Sequence, residues 1–167
     1  NPFGQDWKLV NWKYNGRIMQ EWHCNAANPS ITVVVINPTN GENVLSPVVS
    51  NPASSTNNGA YGNCQCRDYP QTTFDFLVST PAQRNLLLNF LNNNTAIPNG
   101  YYVLAYNMTN VNYPLFEEPL KQAFENIGSA QIRNLTSTVP FAIWGRKGDP
   151  IGSATEVVGA NSSALVE

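Results

Sequence analysis

Residues 97–150 read IPNGYYVLAYN (97–107), MTNVNY (108–113), PLFEEPLKQAFENIGSAQIRNL (114–135), TSTVP (136–140) and FAIWGRKGDP (141–150). The spacing predicts strand, helix, strand, strand. Pro98-Asn99-Gly100 is a turn signal, and Tyr101 to Tyr106 is rich in residues that favour a pleated sheet. Pro114 suits the first turn of a helix, where its missing N–H costs nothing. From there Phe116, Leu120, Ala123, Phe124 and Ile127 recur at three- and four-residue intervals, one apolar stripe packed on a sheet. Gly128 suits a left-handed cap and should end that helix. Gln131 to Leu135 and Phe141 to Trp144 resume as short extended runs, and Gly145-Arg146-Lys147-Gly148 closes them with a tight basic turn.

Upstream, Ile31 to Ile36 is a continuous apolar run between Pro29 and Asn37-Pro38, the pattern of a strand covered on both faces. Asn40-Gly41 turns the chain into Val44 to Val49. Residues 50–72 are loop by composition, and 73–78 return to a sheet. Thr80-Pro81-Ala82-Gln83 is a helix start, with a hydroxyl cap, Pro at the first position and Gln at the third. Leu86, Leu87, Phe90 and Leu91 form its expected apolar face, and Asn92-Asn93-Asn94 ends it. Residues 155–159 form one more short strand. At the N-terminus, residues 7–14 and 17–22 read as two strands of a hairpin about Asn15-Gly16.

The expected class is α+β: a compact sandwich of two mostly antiparallel sheets with two packed helices. Length fits one domain over 1–167, with a Trp-rich hairpin at 1–28 and a core at 29–160. The chain starts at Asn1 without Met or a signal peptide, and reads as a domain excised from a longer secreted protein.

Composition narrows the function classes. Charged residues are 12% of the chain, about half the usual share of roughly 25%. Asn, Thr and Ser supply the polar surface instead, as is common in secreted or cell-surface proteins. Net charge is −2 with no basic run, which argues against nucleic acid as a partner. No stretch approaches the roughly 20 apolar residues of a membrane span. Cys24, Cys64 and Cys66 cannot all pair internally, so one disulfide joining Cys24 to Cys64 or Cys66 is expected. It would close a loop of about forty residues and contribute roughly 3–4 kcal/mol. Cys64-Gln65-Cys66 with His23 makes a poor zinc set, because zinc wants wider spacing and four ligands. No metal and no cofactor are expected.

His23 is the only histidine, and no nucleophile elbow is present. Asp75 with Asp68, or Glu117 with Glu118, could be read as paired carboxylates for sugar hydrolysis. The second pair is better explained as acids in the first turn of a helix, where the dipole favours them. Glu156 is a further isolated candidate, and the expectation is that the chain is not an enzyme. Trp7, Trp12 and Trp22 either cover an edge of the sheet or offer rings on which pyranoses stack.

Gly128-Ser129 followed by Ile132 and Asn134-Leu135, the run Phe141 to Gly148, and Ile31 to Asn37 with its turn Thr39-Asn40-Gly41-Glu42 form a collinear series. In that order the chain resembles the interleukin-like EMT-inducer domain family over roughly residues 30–150, interrupted by a divergent stretch at 50–72. That domain is also the stem of the protein O-mannose N-acetylglucosaminyltransferase. Bacterial relatives of this kind sit in large secreted proteins beside gingipain-type peptidase modules. The resemblance implies a non-catalytic accessory domain whose partners are glycans or other domains of its parent protein. In the transferase stem, an Asp after the "NG" strand and an Arg before the aromatic strand hold N-acetylglucosamine-type sugars. Here those positions fall at about Asn110 and Thr138, so the charged pair is replaced by an amide and a hydroxyl. Asn107, Asn110 and Thr138 can still bond sugar hydroxyls, or can be plain loop residues. Arg146-Lys147 is either a solvated turn or an anion and sugar contact. The competing class is a protein-interaction or architectural module.

Overall fold

A computed structural model describes residues 11–14, 17–20, 29–44, 73–107 and 110–160, the first two stretches by their backbone alone. Cys24, Cys64, Cys66, His23, Trp7 and Trp22 lie outside these residues, so the disulfide and the stacking expectation for those rings do too.

Strands β1 (Asn11–Tyr14) and β2 (Arg17–Gln20) pair antiparallel, with Tyr14 opposite Arg17, and form a two-stranded sheet. Residues 15–16, read from the sequence as the turn between these strands, lie outside the described residues. The remaining strands are β3 (Ser30–Ile36), β4 (Phe74–Leu77), β5 (Tyr102–Asn107), β6 (Phe141–Arg146) and β7 (Thr155–Val158). They form one fully antiparallel sheet in the order β4-β3-β5-β6-β7. With helices α1 (Pro81–Asn92) and α2 (Glu118–Glu125) this is an α+β fold. Among the described residues, the helices close the core where a facing sheet of a sandwich was expected.

Period-two alternation sorts every strand into two faces. One face carries Ile31, Val33 and Val35 of β3, Phe74 and Phe76 of β4, Val103 and Ala105 of β5, and Phe141 and Ile143 of β6. These join Leu87, Phe90 and Leu91 of α1 and Leu120, Ala123 and Phe124 of α2 in one buried cluster. Phe90 packs its ring 4.5 Å from Phe74 and 5.1 Å from Phe76, and Phe124 lies against Phe116 and Phe141. All seven residues of β3 are buried, so the strand is covered on both faces, as its unbroken apolar run implies.

Helix α1 starts as its sequence dictates. The Gln83 N–H donates to the Thr80 hydroxyl at 3.3 Å, and the Thr80 N–H donates back to the Gln83 side chain at 3.0 Å. Its apolar face is rotated from the expected one: Leu86 is exposed, and Arg84 is buried in its place. The Arg84 guanidinium forks onto Glu117 at 2.7 and 2.9 Å and donates to the Val78 and Ser79 carbonyls. That ion pair bridges α1 to the residue capping α2.

The second helix is shorter than its apolar stripe. Tyr113–Leu115 form a 3-10 turn, Phe116 links it to α2, and the helix proper begins at Glu118. Pro119 is the reason: it has no N–H to give an upstream carbonyl, so it belongs in a first turn. Residues 131–134 form a bend and turn where an extended run was expected. Glu156 on β7 holds them there. Its carboxylate accepts from the Ser129 hydroxyl, the Ala130 N–H at 2.8 Å and the Gln131 N–H at 3.2 Å. Gly145 completes the joint, since a Cβ there would stand 1.8 Å from the Ile127 carbonyl oxygen.

Candidate functional site

The sequence-derived site residues fall at opposite ends of the β5–β6 pair. Asn107 ends β5 and is buried. Its amide accepts from the Phe141 N–H at 2.7 Å and donates to the Val139 carbonyl at 3.3 Å, the two bonds a peptide unit of a neighbouring strand would make. The two candidate loops do meet here. The Thr138 N–H donates to the Val111 carbonyl at 2.9 Å, and the Ser137 hydroxyl donates to Asn112 Oδ1 at 2.8 Å. Thr138 has a φ of 68°, the left-handed region that a β-branched residue rarely adopts. Asn110 is exposed. This end offers amides and hydroxyls, and the Asn107 amide is already engaged by the backbone.

Arg146 sits at the other end, opposite Tyr102 in the register. Tyr102, Trp144 and Arg146 share the sheet face turned away from the helices. Trp144 is 38% exposed, and its indole lies nearly parallel to the Tyr102 ring, 12° between planes and 5.3 Å between centres. The Arg146 guanidinium carbon is 5.9 Å from the same Tyr102 centre, within range of a cation–π contact. Arg146 Nε–H also donates to the Gly100 carbonyl at 2.8 Å. Gly100 has a φ of +87°, and a Cβ there would stand 3.3 Å from an Arg146 terminal nitrogen. Glycine therefore serves both the turn and the close seat of the guanidinium.

The basic turn divides between two environments. Arg146 is exposed, whereas Lys147 is only 2% exposed and its Nζ meets no hydrogen-bond partner. Burial pushes the Lys147 ammonium below its ordinary pKa, since a charge without partners loses its hydration. Of the two turn residues, Arg146 therefore stands in solvent and Lys147 does not. Tyr113 is likewise buried with an unpartnered hydroxyl, and burial holds its phenol well above the ordinary value.

Of the carboxylates singled out for hydrolysis, Asp68 lies outside the described residues and the others have structural partners. Asp75 is buried and accepts from the Thr32 hydroxyl across the β3–β4 pair at 2.5 Å. Glu117 is held by Arg84, whose hydrogen bonds keep its carboxyl below the usual range. Glu118 is paired with Arg133, which also engages Glu125. Glu156 caps the 129–131 turn.

Trp12 lies on β1 opposite Met19, described by its backbone alone. Tyr102 and Trp144 were not singled out as site residues from the sequence. The signal was present in β6, where Phe141, Ile143 and Gly145 alternate with Ala142, Trp144 and Arg146. A buried set and an outward set share one strand, and a large ring falls in the outward one. No family model matches the chain, and no curated protein matches it. Among the described residues, no helix is long and apolar enough to cross a membrane.

Proposed function

We propose that this chain is a non-catalytic accessory domain of a secreted or cell-surface protein, one that binds glycans, as its resemblance to the interleukin-like EMT-inducer family implies. The observation that carries the reading is the exposed Trp144 ring stacked on Tyr102. A pyranose has one face of C–H bonds, and that face sheds water against an aromatic ring of similar size. Because Tyr102 braces the indole, little side-chain freedom remains to be lost when a sugar docks. Neutral hydrogen bonds add only about 0.5–1.5 kcal/mol each, so monosaccharide affinity is millimolar or weaker and useful chiefly in multivalent form.

A glycan array probed with a multimerised form of the chain tests this. Signal reduced by Trp144→Ala supports the reading. Signal reduced instead by Asn110→Ala and Thr138→Ala moves the site to the opposite end of the sheet. A flat array rejects glycan binding. The second reading, a protein-interaction or architectural module beside a secreted peptidase domain, draws on the terminal position of β7 and the exposure of Val158 and Ile151 near it. A flat array would leave that reading standing.

A further inference from the structure

Resting on the glycan reading, we infer that the Trp144–Tyr102–Arg146 ladder takes sugars bearing a carboxylate, hexuronic acids, in preference to neutral ones. Three arginines lie in the described residues with their side chains. Arg84 is answered by Glu117, and Arg133 by Glu118 and Glu125. Arg146 makes no ion pair among the described residues; its one hydrogen bond runs from Nε to the Gly100 carbonyl. Asp149, three residues on, meets Arg146 only through its backbone N–H, which donates to the Arg146 carbonyl at 3.1 Å.

That single bond fixes the guanidinium and leaves the N–H groups of both terminal nitrogens available. A planar fork of this kind matches a carboxylate through two parallel hydrogen bonds. The surroundings agree in charge. On the outward face of the five-stranded sheet the charged side chains are Arg146 and Asp75. Asp75 is buried on β4 against Thr32, and β3 and β5 separate its strand from β6. Among the described residues the aromatic rings therefore end in a cation that no acid neutralises. An apolar ring surface beside an unanswered guanidinium fits a molecule with a C–H face and an anionic edge. A hexuronic acid carries both on one ring.

The test uses the whole 167-residue chain, multimerised, with oligogalacturonate and oligomannuronate against their methyl esters. Esterification keeps the ring and removes the charge. The acid of at least one series should bind roughly tenfold more tightly than its ester, because charge-assisted bonds are about twice as strong as neutral ones. The preference should shrink as salt rises. Arg146→Gln should bring the acid-to-ester ratio to about one, and Arg146→Lys, which keeps charge without the fork, should fall between. Thermal melts of both variants check that the fold is intact. A sulfated neutral oligosaccharide forms a third arm, and equal binding of sulfate and carboxylate would overturn the claim for carboxylate. Equal binding of acid and ester, still lost in Trp144→Ala, overturns the inference and leaves the glycan reading in place. Binding of neither, with Trp144→Ala indistinguishable from the parent, overturns both.

Discussion

The two faces of the five-stranded sheet are made from the same strands and behave differently. The helix-bearing face is closed from β4 to β6 by aliphatic and aromatic side chains at close contact. The outward face changes across the sheet, buried at Thr32 and Val34 on β3, half-buried at Tyr102 and Leu104 on β5, and exposed at Trp144 on β6. Stability is concentrated on the first face, where each side chain has neighbours to lose. On the second, the large apolar group left in water is the one free to meet something else.

Substitutions on each side should break or sharpen that contrast. The largest effect is expected at Gly145, on the helix face, where the Ile127 carbonyl leaves no room for a methyl. Gly145→Ala should cost about 4 kcal/mol or more, since backbone must move. Urea denaturation, or failure to recover folded protein, reads it. Phe124→Ala empties the centre of the same face, where the ring is fully buried. The expected loss is about 3–5 kcal/mol by chemical denaturation, and a loss under about 1 kcal/mol would contradict the packing.

Lys147 is buried as well, yet its substitution should stabilise. Lys147→Met keeps the stem and removes an unpartnered charge, with a gain of about 1–4 kcal/mol at neutral pH by analogy with buried ion pairs replaced by hydrophobes. The pH dependence has a definite sign. The folded pKa is depressed, so the unfolded chain holds a proton that the folded chain has released between the folded pKa and the ordinary value of 10.5. Stability contributed by this group therefore rises with pH through that window and is level beyond it. The gain from Lys147→Met should shrink between pH 7 and pH 10, measured as paired denaturant curves in which other groups cancel. The smallest effect belongs to the outward face. Trp144→Ala should cost about 1 kcal/mol, the worth of one aromatic pair, while removing glycan signal. A loss comparable to that of Phe124→Ala would make Trp144 a core residue and erase the contrast.

Sequence was most informative where a local pattern has a single cheap solution. The Thr80-Pro81-Ala82-Gln83 box and the unbroken run of β3 both belong to this kind. It was least informative where a distant group decides. The apolar spacing of Phe116 and Leu120 extends a helix that Pro119 does not allow to begin so early. Residues 131–134 turn because Glu156, more than twenty positions later, accepts from the Ala130 and Gln131 N–H groups where the turn begins. Arg84 reads as a solvent residue until Glu117 is seen beside it. The candidate site followed the same rule. Asn110 and Thr138 were legible by position in a resemblance, and their loops do adjoin. The Tyr102–Trp144 stack needs the register of β5 against β6, which no single strand contains.

The Asn107 amide, standing in for a peptide unit, governs how the sequence around it can vary. It fastens the end of β5 to the start of β6, so the sheet is complete before either loop begins. Asn110, Asn112, Thr136 and Ser137 are exposed around that fastening while Val111 is fully buried among them, so substitutions at the four exposed positions need not be transmitted to the strands. The surface at this end can be rewritten on an unaltered frame, so long as position 107 keeps a side chain with one donor and one acceptor and position 111 keeps its buried apolar one.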